Sequence, residues 1–380
     1  MYSPRLALAT TVARVASWAL RTVLHRNGET LPGHILLAID SAALAKLSLG
    51  KKIILISGTN GKTSTTRTLA ALMTQVPGAG KIATSKTGSN LRKGVAYALV
   101  GSETYAVLEV DELWLPIVIK EVNPAVVVLL NISRDQQHRT HEVKRIADKW
   151  REAALTSDAL FIGNIDDPFV NYILTAAKNS RRIAYESGIG RHPDAAACPA
   201  CGKYLHWKDG DYLCSCGLTN TLFDESYAHQ GAVSRNTIIA NVVAEIFGAP
   251  WNEVIASTFE RKTLRKVMGR SLVLRLAKNP ASMAEVLDSM KGDLILLVIN
   301  SQGVDGLDVS WLWDVSFESL RGKQVVATGE RGLDLAYRLQ VAGIECEFIK
   351  TIDQAITSFD PGSTIEVLAS YSAFVKMETL

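Results

Sequence analysis

The residues with the clearest chemical meaning lie between Ile53 and Thr63, in the string IILISGTNGKT. The apolar run predicts a buried parallel strand, and Gly58 and Gly61 allow the loop that follows to turn its backbone N–H groups inward. We expect a helix to begin at about Lys62. The N-terminal amides and the dipole of that helix would favour an anion. Lys62 would then contact the outer phosphates of a nucleotide, and the Thr63 hydroxyl would coordinate Mg²⁺. An ordinary strand-to-helix turn is the plainer alternative.

Three carboxylates follow a second predicted strand, which covers Tyr105–Val110: Glu109, Asp111 and Glu112. Carboxylates at the C-terminal end of a strand beside a phosphate loop are placed to hold Mg²⁺ or to orient its water ligands. A solvated loop would explain the same residues without any metal.

Four of the five cysteines fall close together, as Cys198 and Cys201 and then as Cys214 and Cys216. Such paired thiolates predict a zinc ribbon that inserts at about residues 194–221, although the second pair is one residue shorter than usual. Because four cysteines complete a tetrahedral shell, the zinc ion would be structural rather than catalytic. Disulfides are the alternative, and nothing in the sequence indicates export to an oxidising compartment.

The composition fits a globular protein of two or three domains. The chain has 380 residues, of which 47% are hydrophobic and 21% charged, and its net charge of +3 is too small to indicate nucleic acid as a partner. Leu6–Leu24 is apolar but contains Arg14 and Arg21, so we expect an amphipathic helix rather than a membrane span. Packing onto the following domain is favoured over contact with a membrane surface, and a cytoplasmic protein is expected.

Short β-branched runs alternate with helical patterns along the first half of the chain, at Ala125–Leu130, Ala159–Ile162 and Arg182–Tyr185. This alternation predicts an α/β fold with a parallel sheet. An amphipathic helix ending at Gly248 follows the cysteine segment, and Met268 to Arg270 are taken as the change to a further domain.

Several of these segments resemble one enzyme family. GTNGKT resembles the ATP loop of the Mur ligases and folylpolyglutamate synthetase, which use ATP to activate a carboxylate as an acyl phosphate. The N-x-x-R-D-Q string that begins at Asn131 is similar to the MurT branch of that superfamily, as are LAKNP at 276–280 and VDGLDVSWLWD at 304–314.

The resemblance implies a specific architecture. It predicts a Mur-ligase-like central P-loop domain that carries the four-cysteine zinc ribbon, and a smaller Rossmann-like C-terminal domain. The expected segments are an N-terminal helical segment at 1–44, the central domain at 45–268 and the C-terminal domain at 269–380.

The resemblance also implies roles for individual residues. Glu109 would serve the magnesium ion together with Thr63, and two helix asparagines would contact the adenine side of the nucleotide. The residues implied to bind ATP are Gly58, Thr59, Asn60, Gly61, Lys62, Thr63, Asn236 and Asn241. The carbamylated lysine of Mur ligases is left unassigned, because Lys144 and Lys149 are only neighbours in sequence.

The implied activity is that of an ATP-dependent carbon–nitrogen ligase of peptidoglycan synthesis. It would phosphorylate the α-carboxylate of D-glutamate in lipid II, and ammonia from a GatD-type class I glutaminase subunit would then yield D-isoglutamine at the inner face of the plasma membrane. A stand-alone amino-acid ligase and a non-catalytic scaffold are the alternatives.

In this family the C-terminal domain lends an aspartate to the Cys–His pair of the glutaminase. We rank Asp308 first, followed by Asp314 and Asp305. Trp311 and Trp313 lie among these acidic residues, and such aromatic side chains belong either to a core or to a partner surface.

Overall fold

The computed structural model describes residues 3–22, 29–85, 89–135, 142–186, 191–228, 232–252, 263–302 and 305–379. Contacts between residues divide the chain into two units. The first comprises residues 1–132 and 142–259, and the second comprises residues 133–141 and 260–380.

The first unit begins with three helices: α1 (Pro4–Thr22), α2 (Thr30–Ile39) and α3 (Ala43–Ser48). Their buried side chains, such as Leu36 of α2 and Leu44 of α3, join the core on one face of the sheet described next. Among the described helices, none combines the length and the apolar character needed to cross a bilayer.

The centre of the first unit is a seven-stranded sheet in which every pairing is parallel. The strands of the unit are β1 (Lys52–Ser57), β2 (Ile82–Ala83), β3 (Tyr105–Glu109), β4 (Val126–Leu129), β5 (Leu160–Asn164), β6 (Asn179–Tyr185), β7 (His206–Lys208), β8 (Asp211–Leu213) and β9 (Glu225–Tyr227). The order in the sheet is β2-β3-β1-β4-β5-β6-β9, and β7 and β8 form a separate hairpin.

Helices cover both faces of this sheet, so its strands are buried on both sides. The helices are α4 (Lys62–Met73), α5 (Arg92–Ala98), α6 (Leu115–Val122), α7 (Val143–Thr156), α8 (Pro168–Leu174) and α9 (Ala232–Ile246). Ile53 and Leu55 of β1 belong to one core cluster, whereas Ile54 and Ile56 belong to the other. This alternation follows from the two-residue period of a strand, and burial on both faces explains why β1 is apolar throughout.

The second unit contains a six-stranded sheet with the order β10-β11-β15-β12-β13-β14. Its strands are β10 (Thr263–Val267), β11 (Arg270–Leu276), β12 (Leu294–Val298), β13 (Gln324–Thr328), β14 (Cys346–Phe348) and β15 (Thr364–Ala369). Its helices are α10 (Pro280–Ser289), α11 (Gly332–Val341), α12 (Ile352–Thr357) and α13 (Tyr371–Glu378), with 3₁₀ turns at Ser310–Asp314 and Glu318–Leu320. Only the β10–β11 pair is antiparallel, and the predicted α/β fold class is confirmed.

The sequence placed a domain boundary after residue 268, and this position lies inside the β10–β11 hairpin. Met268 and Gly269 are the two turn residues, both with positive φ, and Val267 pairs with Arg270. The residues predicted to mark the change of domain therefore form a tight hairpin turn, a position for which Gly is well suited. Strand β10 belongs to the second unit, which begins before this turn.

Candidate functional site

The loop after β1 has a backbone that only glycine adopts readily at two positions. Gly58 has a φ of 148° and Gly61 a φ of 85°. A Cβ atom on Gly58 would lie 2.9 Å from the Cβ of Leu130 and 3.0 Å from the backbone oxygen of Asn131. On Gly61 it would lie 2.7 Å from Nδ2 of Asn236. Both glycines are thus required by backbone geometry and by close neighbours, as the sequence predicted.

Asn131, which follows β4, holds this loop at three points. Its backbone oxygen accepts a hydrogen bond from the N–H of Thr59 at 2.9 Å. Its side-chain Oδ1 accepts from the N–H of Asn60 at 2.9 Å, and its Nδ2 donates to the Asn60 oxygen at 3.0 Å. Asn131 entered the sequence analysis only as the first letter of a motif. Its position directly after a predicted strand was the signal for a loop contact.

Lys62 begins α4 and points back along the loop. Its Nζ lies 2.8 Å from Oε1 of Glu112, and it also donates to the backbone oxygen of Gly58. Both charged side chains of the pair are almost fully buried. Removal of either partner would leave a buried charge without its counter-ion, which is strongly destabilising. The sequence grouped Glu112 with two other carboxylates and gave it no separate role.

Glu109 ends β3 and is buried. The parallel register pairs it with Ile56 of β1, so it lies at the same edge of the sheet as the glycine loop. Asp111 instead accepts a hydrogen bond from the N–H of Leu113, within the turn before α6. The Thr63 hydroxyl and the Glu109 carboxylate are oxygen ligands of the type that Mg²⁺ prefers, so the donor set fits this ion.

The two asparagines of α9 have different surroundings. Asn236 lies against Gly61 of the loop, as noted above. Asn241 is fully buried, and its Oδ1 accepts from the N–H of Asn252 at 2.8 Å while its Nδ2 donates to the Asn252 oxygen at 3.2 Å. Asn241 thus binds the chain that follows its own helix, and the assignment of both asparagines to the nucleotide stays a prediction.

The four predicted cysteine ligands come together around the β7–β8 hairpin. All four sulfur atoms lie within 4.8 Å of one another, with 3.7 Å between Cys198 and Cys216 and 3.4 Å between Cys201 and Cys214. A tetrahedron with Zn–S bonds of about 2.3 Å has edges of about 3.8 Å, so the spacing fits one metal ion. All four are free cysteines rather than the disulfides considered above.

A buried polar network joins the segment that carries the four cysteines (residues 194–221, here called the cysteine segment) to the sheet. The hydroxyl of Tyr212 donates to the Ile165 oxygen at 2.7 Å and accepts from Nδ2 of Asn171 at 2.8 Å. Nδ2 of Asn220 donates to Oδ1 of Asp166 at 2.9 Å. Burial of Asp166 raises the pKa of its carboxyl group to about 6. The network contains residues from β8 and from the loop between β5 and α8, so it fixes the hairpin to the first unit.

Asp167 connects the same region to the residue after Asn131. Its Oδ1 caps α8 through the N–H of Phe169 at 2.8 Å, and its Oδ2 accepts from the N–H of Ile132 at 2.7 Å. Nε2 of His192, just before the cysteine segment, lies 3.4 Å from the same Oδ2. Burial lowers the pKa of His192, but the charge of Asp167 and the hydrogen bond to it outweigh burial, so the pKa is raised. The sequence analysis missed both residues.

The three ranked aspartates of the second unit have different surroundings. Asp305 is buried, and its carboxylate accepts hydrogen bonds from the N–H of Ser372 at 2.7 Å and from the Ser372 hydroxyl at 2.5 Å. Asp314 forms an ion pair of 2.9 Å with Arg134. Asp305 therefore contributes to the interior of this unit, whereas Asp314 is exposed and forms its ion pair at the surface.

Asp308 is exposed, and its Oδ1 accepts a local hydrogen bond from the N–H of Ser310 at 2.8 Å. It lies on the wall of an open surface pocket of about 270 Å³. The pocket residues are Leu307, Asp308, Val309, Ser310, Leu312, Trp313, Arg331 and Asp334.

Arg338 of α11 holds the aromatic segment next to this pocket. It is buried, and it donates to the Leu312 oxygen at 3.2 Å and to the Val315 oxygen at 2.7 Å. Its guanidinium group lies 5.6 Å from the ring centre of Trp313 and 5.5 Å from that of Phe317. Phe317 is part of the core, whereas Trp313 is 53% exposed, so the segment contributes both to the core and to the surface.

Comparison with solved structures places this fold among known ligases. A pseudomurein peptide ligase type C from Methanothermus fervidus matches with a TM-score of 0.67 and 18% identity, covering 89% of this chain and 80% of that chain. The MurF ligase from Thermotoga maritima in complex with ADP matches with a TM-score of 0.62 and 15% identity, covering 92% and 83%. At these identities the likeness concerns the fold alone.

Sequence comparisons are more specific. The model of the Mur ligase middle domain matches residues 56–201, and that of the MurT ligase C-terminal region matches residues 276–374. The lipid II isoglutaminyl synthase (glutamine-hydrolyzing) subunit MurT of Staphylococcus aureus (strain N315) is 29% identical, over 89% of this chain and 88% of that protein. Its namesake from Streptococcus pneumoniae (strain ATCC BAA-255 / R6) is 26% identical, over 98% and 97%. This chain is therefore similar to MurT subunits over most of its length, and it matches both the Mur ligase middle domain and the MurT ligase C-terminal region.

Proposed function

We propose that this chain is the ATP-dependent synthetase subunit that amidates the α-carboxylate of the D-glutamyl residue in lipid II. The family supports the reaction and the substrate, since its named members are subunits of lipid II isoglutaminyl synthase. The observation that carries the ATP-dependent step is the glycine loop between β1 and α4, with Lys62 at its end and Asn131 bound along it.

The chemistry explains why ATP is needed. A carboxylate does not react with ammonia, because oxide is a poor leaving group. Transfer of the γ-phosphoryl group to a carboxylate oxygen gives an acyl phosphate. Ammonia then attacks the acyl carbon, the carbon–oxygen bond to phosphate breaks, inorganic phosphate leaves, and a proton lost from nitrogen gives the amide. The protein must mainly align the two reactants and neutralise charge on the phosphoryl oxygens.

Each residue of the site would have a separate role in this reaction. The backbone N–H groups at the start of α4 face the anion, and Lys62 binds the outer phosphates when it leaves Glu112. Thr63 and Glu109 would hold Mg²⁺, and Asn236 and Asn241 would serve the adenine side. Mg²⁺, when bound, supplies further neutralisation of the phosphate charge.

The cysteine cluster would hold a structural zinc ion. Cys198, Cys201, Cys214 and Cys216 fill all four tetrahedral positions, so no position is left for a substrate. The ion therefore fixes the hairpin and does no chemistry on lipid II.

Ammonia is proposed to come from a GatD-type class I glutaminase subunit at the cytoplasmic face of the membrane. A catalytic histidine needs a carboxylate on its second ring nitrogen to fix its tautomer and stabilise the imidazolium. Asp308 is ranked first because it is exposed and lies on the wall of the surface pocket, whereas Asp305 is buried. Asp314 is also exposed, but its carboxylate forms an ion pair with Arg134. The exposed Trp313 beside it provides apolar area for docking.

The purified chain should amidate a lipid II carrying D-glutamate when given ATP, Mg²⁺ and ammonium without any partner. Mass spectrometry of the product and phosphate release would be measured with ammonium, with glutamine and with a mixture of amino acids. Amidation by ammonium alone supports the proposal, and gain of glutamine use on adding the glutaminase supports the subunit assignment. Product formation with an amino acid instead would favour the stand-alone ligase.

A further inference from the structure

Helix α1 presents two very different faces. The side that packs inward carries the buried residues Leu6, Ala9, Ala13 and Ser17, most of which are small. The larger apolar residues lie on the opposite side, with exposed fractions between 38% and 63%, and they are Leu8, Val12, Val15 and Trp18. Their spacing of three and four residues places them along one side of the helix.

The exposed row is held on a fixed support. Leu6, Ala9 and Ala13 belong to the same core cluster as Leu36 of α2. Helix α2 in turn lies so close to α5 that a Cβ on Gly33 would be 1.9 Å from the backbone oxygen of Lys93. The opposite side of α1 thus packs against the core, and the exposed apolar row has no part in that packing.

The charged residues of α1 all have one sign. The stretch Pro4–Thr22 contains three arginines and no aspartate or glutamate. Arg14 and Arg21 are exposed, and neither forms an ion pair with any residue that the structure describes. This helix thus combines an exposed apolar row with unneutralised positive charge.

We propose that α1 is a membrane-surface helix that lies flat on an anionic bilayer, with Leu8, Val12, Val15 and Trp18 inserted among the lipids. Tryptophan suits the boundary between headgroups and acyl chains, and arginines flanking an apolar face bind anionic headgroups. The inference rests on the proposed function for its purpose, because a lipid-linked substrate is held at such a surface. A protein partner would not require that the charged residues of α1 all be positive.

The test is flotation of the full chain with vesicles made either of equal parts phosphatidylglycerol and phosphatidylcholine or of phosphatidylcholine alone. The chain should float with the anionic vesicles, and high salt should weaken this binding. A Val15→Glu, Trp18→Glu double variant should lose at least tenfold in partitioning. An Arg14→Gln, Arg21→Gln variant should lose about fivefold per arginine on anionic vesicles only.

A matched control is Leu49→Glu with Leu155→Glu, which alters two exposed apolar residues of the same unit away from α1. This control should float like the unaltered chain. Equal flotation of the α1 variants, or no flotation of the unaltered chain, would overturn the inference. Loss of glutaminase binding by the α1 variants, with flotation unchanged, would assign the row to a protein partner instead. Amidation of lipid II in detergent micelles should be unchanged in the α1 variants, so failure of the proposed reaction would be recognised separately.

Discussion

At the scale of single residues, the conformation of the glycine loop between β1 and α4 depends on Asn131 as well as on the loop's own glycines. The glycines permit the backbone conformation, but the three contacts from Asn131 select it. A loop that is already in shape loses less entropy when it binds a phosphate, which improves affinity and alignment together.

Asn131→Ala should raise the KM for ATP by about tenfold, because it removes two hydrogen bonds to Asn60. Each bond contributes at most about 1 kcal/mol net, since the freed groups can bind water instead. Asn131→Asp keeps the acceptor for the Asn60 N–H, but it places a carboxylate oxygen against the Asn60 oxygen and a negative charge beside the phosphates, so it should lose more. ATP-dependent phosphate release at saturating ammonium is the measurement. An unchanged KM in both variants would show that the loop holds its shape without this side chain.

Some site residues were accessible from sequence and others were not. Gly58, Gly61 and Lys62 lie within a few residues of one another, so they form a motif that is visible in the sequence without the fold. The contact between Asn131 and Asn60 spans 71 residues, so it exists only once β1 and β4 are neighbours in the sheet. Glu112 was visible as an acidic residue, but its pairing with Lys62 depends on the turn after β3.

At the scale of elements, the cysteine segment is joined to the rest of the first unit by buried polar contacts. Tyr212 binds the loop after β5, and His192 contacts Asp167, which in turn binds the backbone next to Asn131. Loss of order in this segment would therefore reach the phosphate loop through Ile132.

His192 should give the first unit a pH-dependent stability. Its raised pKa means that the protonated form is stabilised in the folded chain, so this contribution is complete below about pH 6.5 and is lost as the pH rises through the folded-state value. His192→Gln should therefore lower the free energy of unfolding by about 1–2 kcal/mol more at pH 6 than at pH 9. Urea unfolding at the two pH values is the measurement.

The exposed His34 offers the matched control. His34→Gln should cost the same small amount at both pH values, since its side chain is on the surface. A pH-independent loss in His192→Gln would mean that the interaction with Asp167 does not involve the charged imidazole.

The cysteine cluster should retain one zinc ion per chain through purification without added metal. Chelation should make residues 191–228 sensitive to protease, because metal binding at such knuckles is coupled to local folding. Cys198→Ser should have the same effect, whereas Cys346→Ser, outside the cluster, should leave metal content unchanged. Elemental analysis showing no metal in the purified chain would remove the zinc assignment.

At the scale of the whole molecule, alternation of strands and helices was enough to predict the parallel sheet of the first unit, whereas the smaller Rossmann-like domain was implied by the family resemblance. The boundary between the units was harder to place. The residues predicted to mark the change of domain are the turn of the β10–β11 hairpin, at Met268 and Gly269. The exposed face of α1 was also out of reach, since either side of an amphipathic helix with small and large apolar residues can pack inward.

Assembly with a glutaminase gives a prediction at this scale. Asp308→Asn should lower glutamine-driven amidation by about 10²-fold or more while ammonium-driven amidation is unchanged, because the carboxylate would act on the partner's histidine. Asp305→Asn should instead destabilise the second unit through its lost contacts to Ser372. Equal activity of Asp308→Asn with both nitrogen sources would contradict the shared active site.

The central claim is that this chain activates a carboxylate by phosphorylating it. The direct measurement uses lipid II whose D-glutamate α-carboxylate carries ¹⁸O, with ATP, Mg²⁺ and ammonium, and mass spectrometry of the released phosphate. An acyl phosphate passes one carboxylate oxygen to phosphate, so the account predicts ¹⁸O-labelled inorganic phosphate in proportion to amide formed. Amide formation with unlabelled phosphate would contradict it.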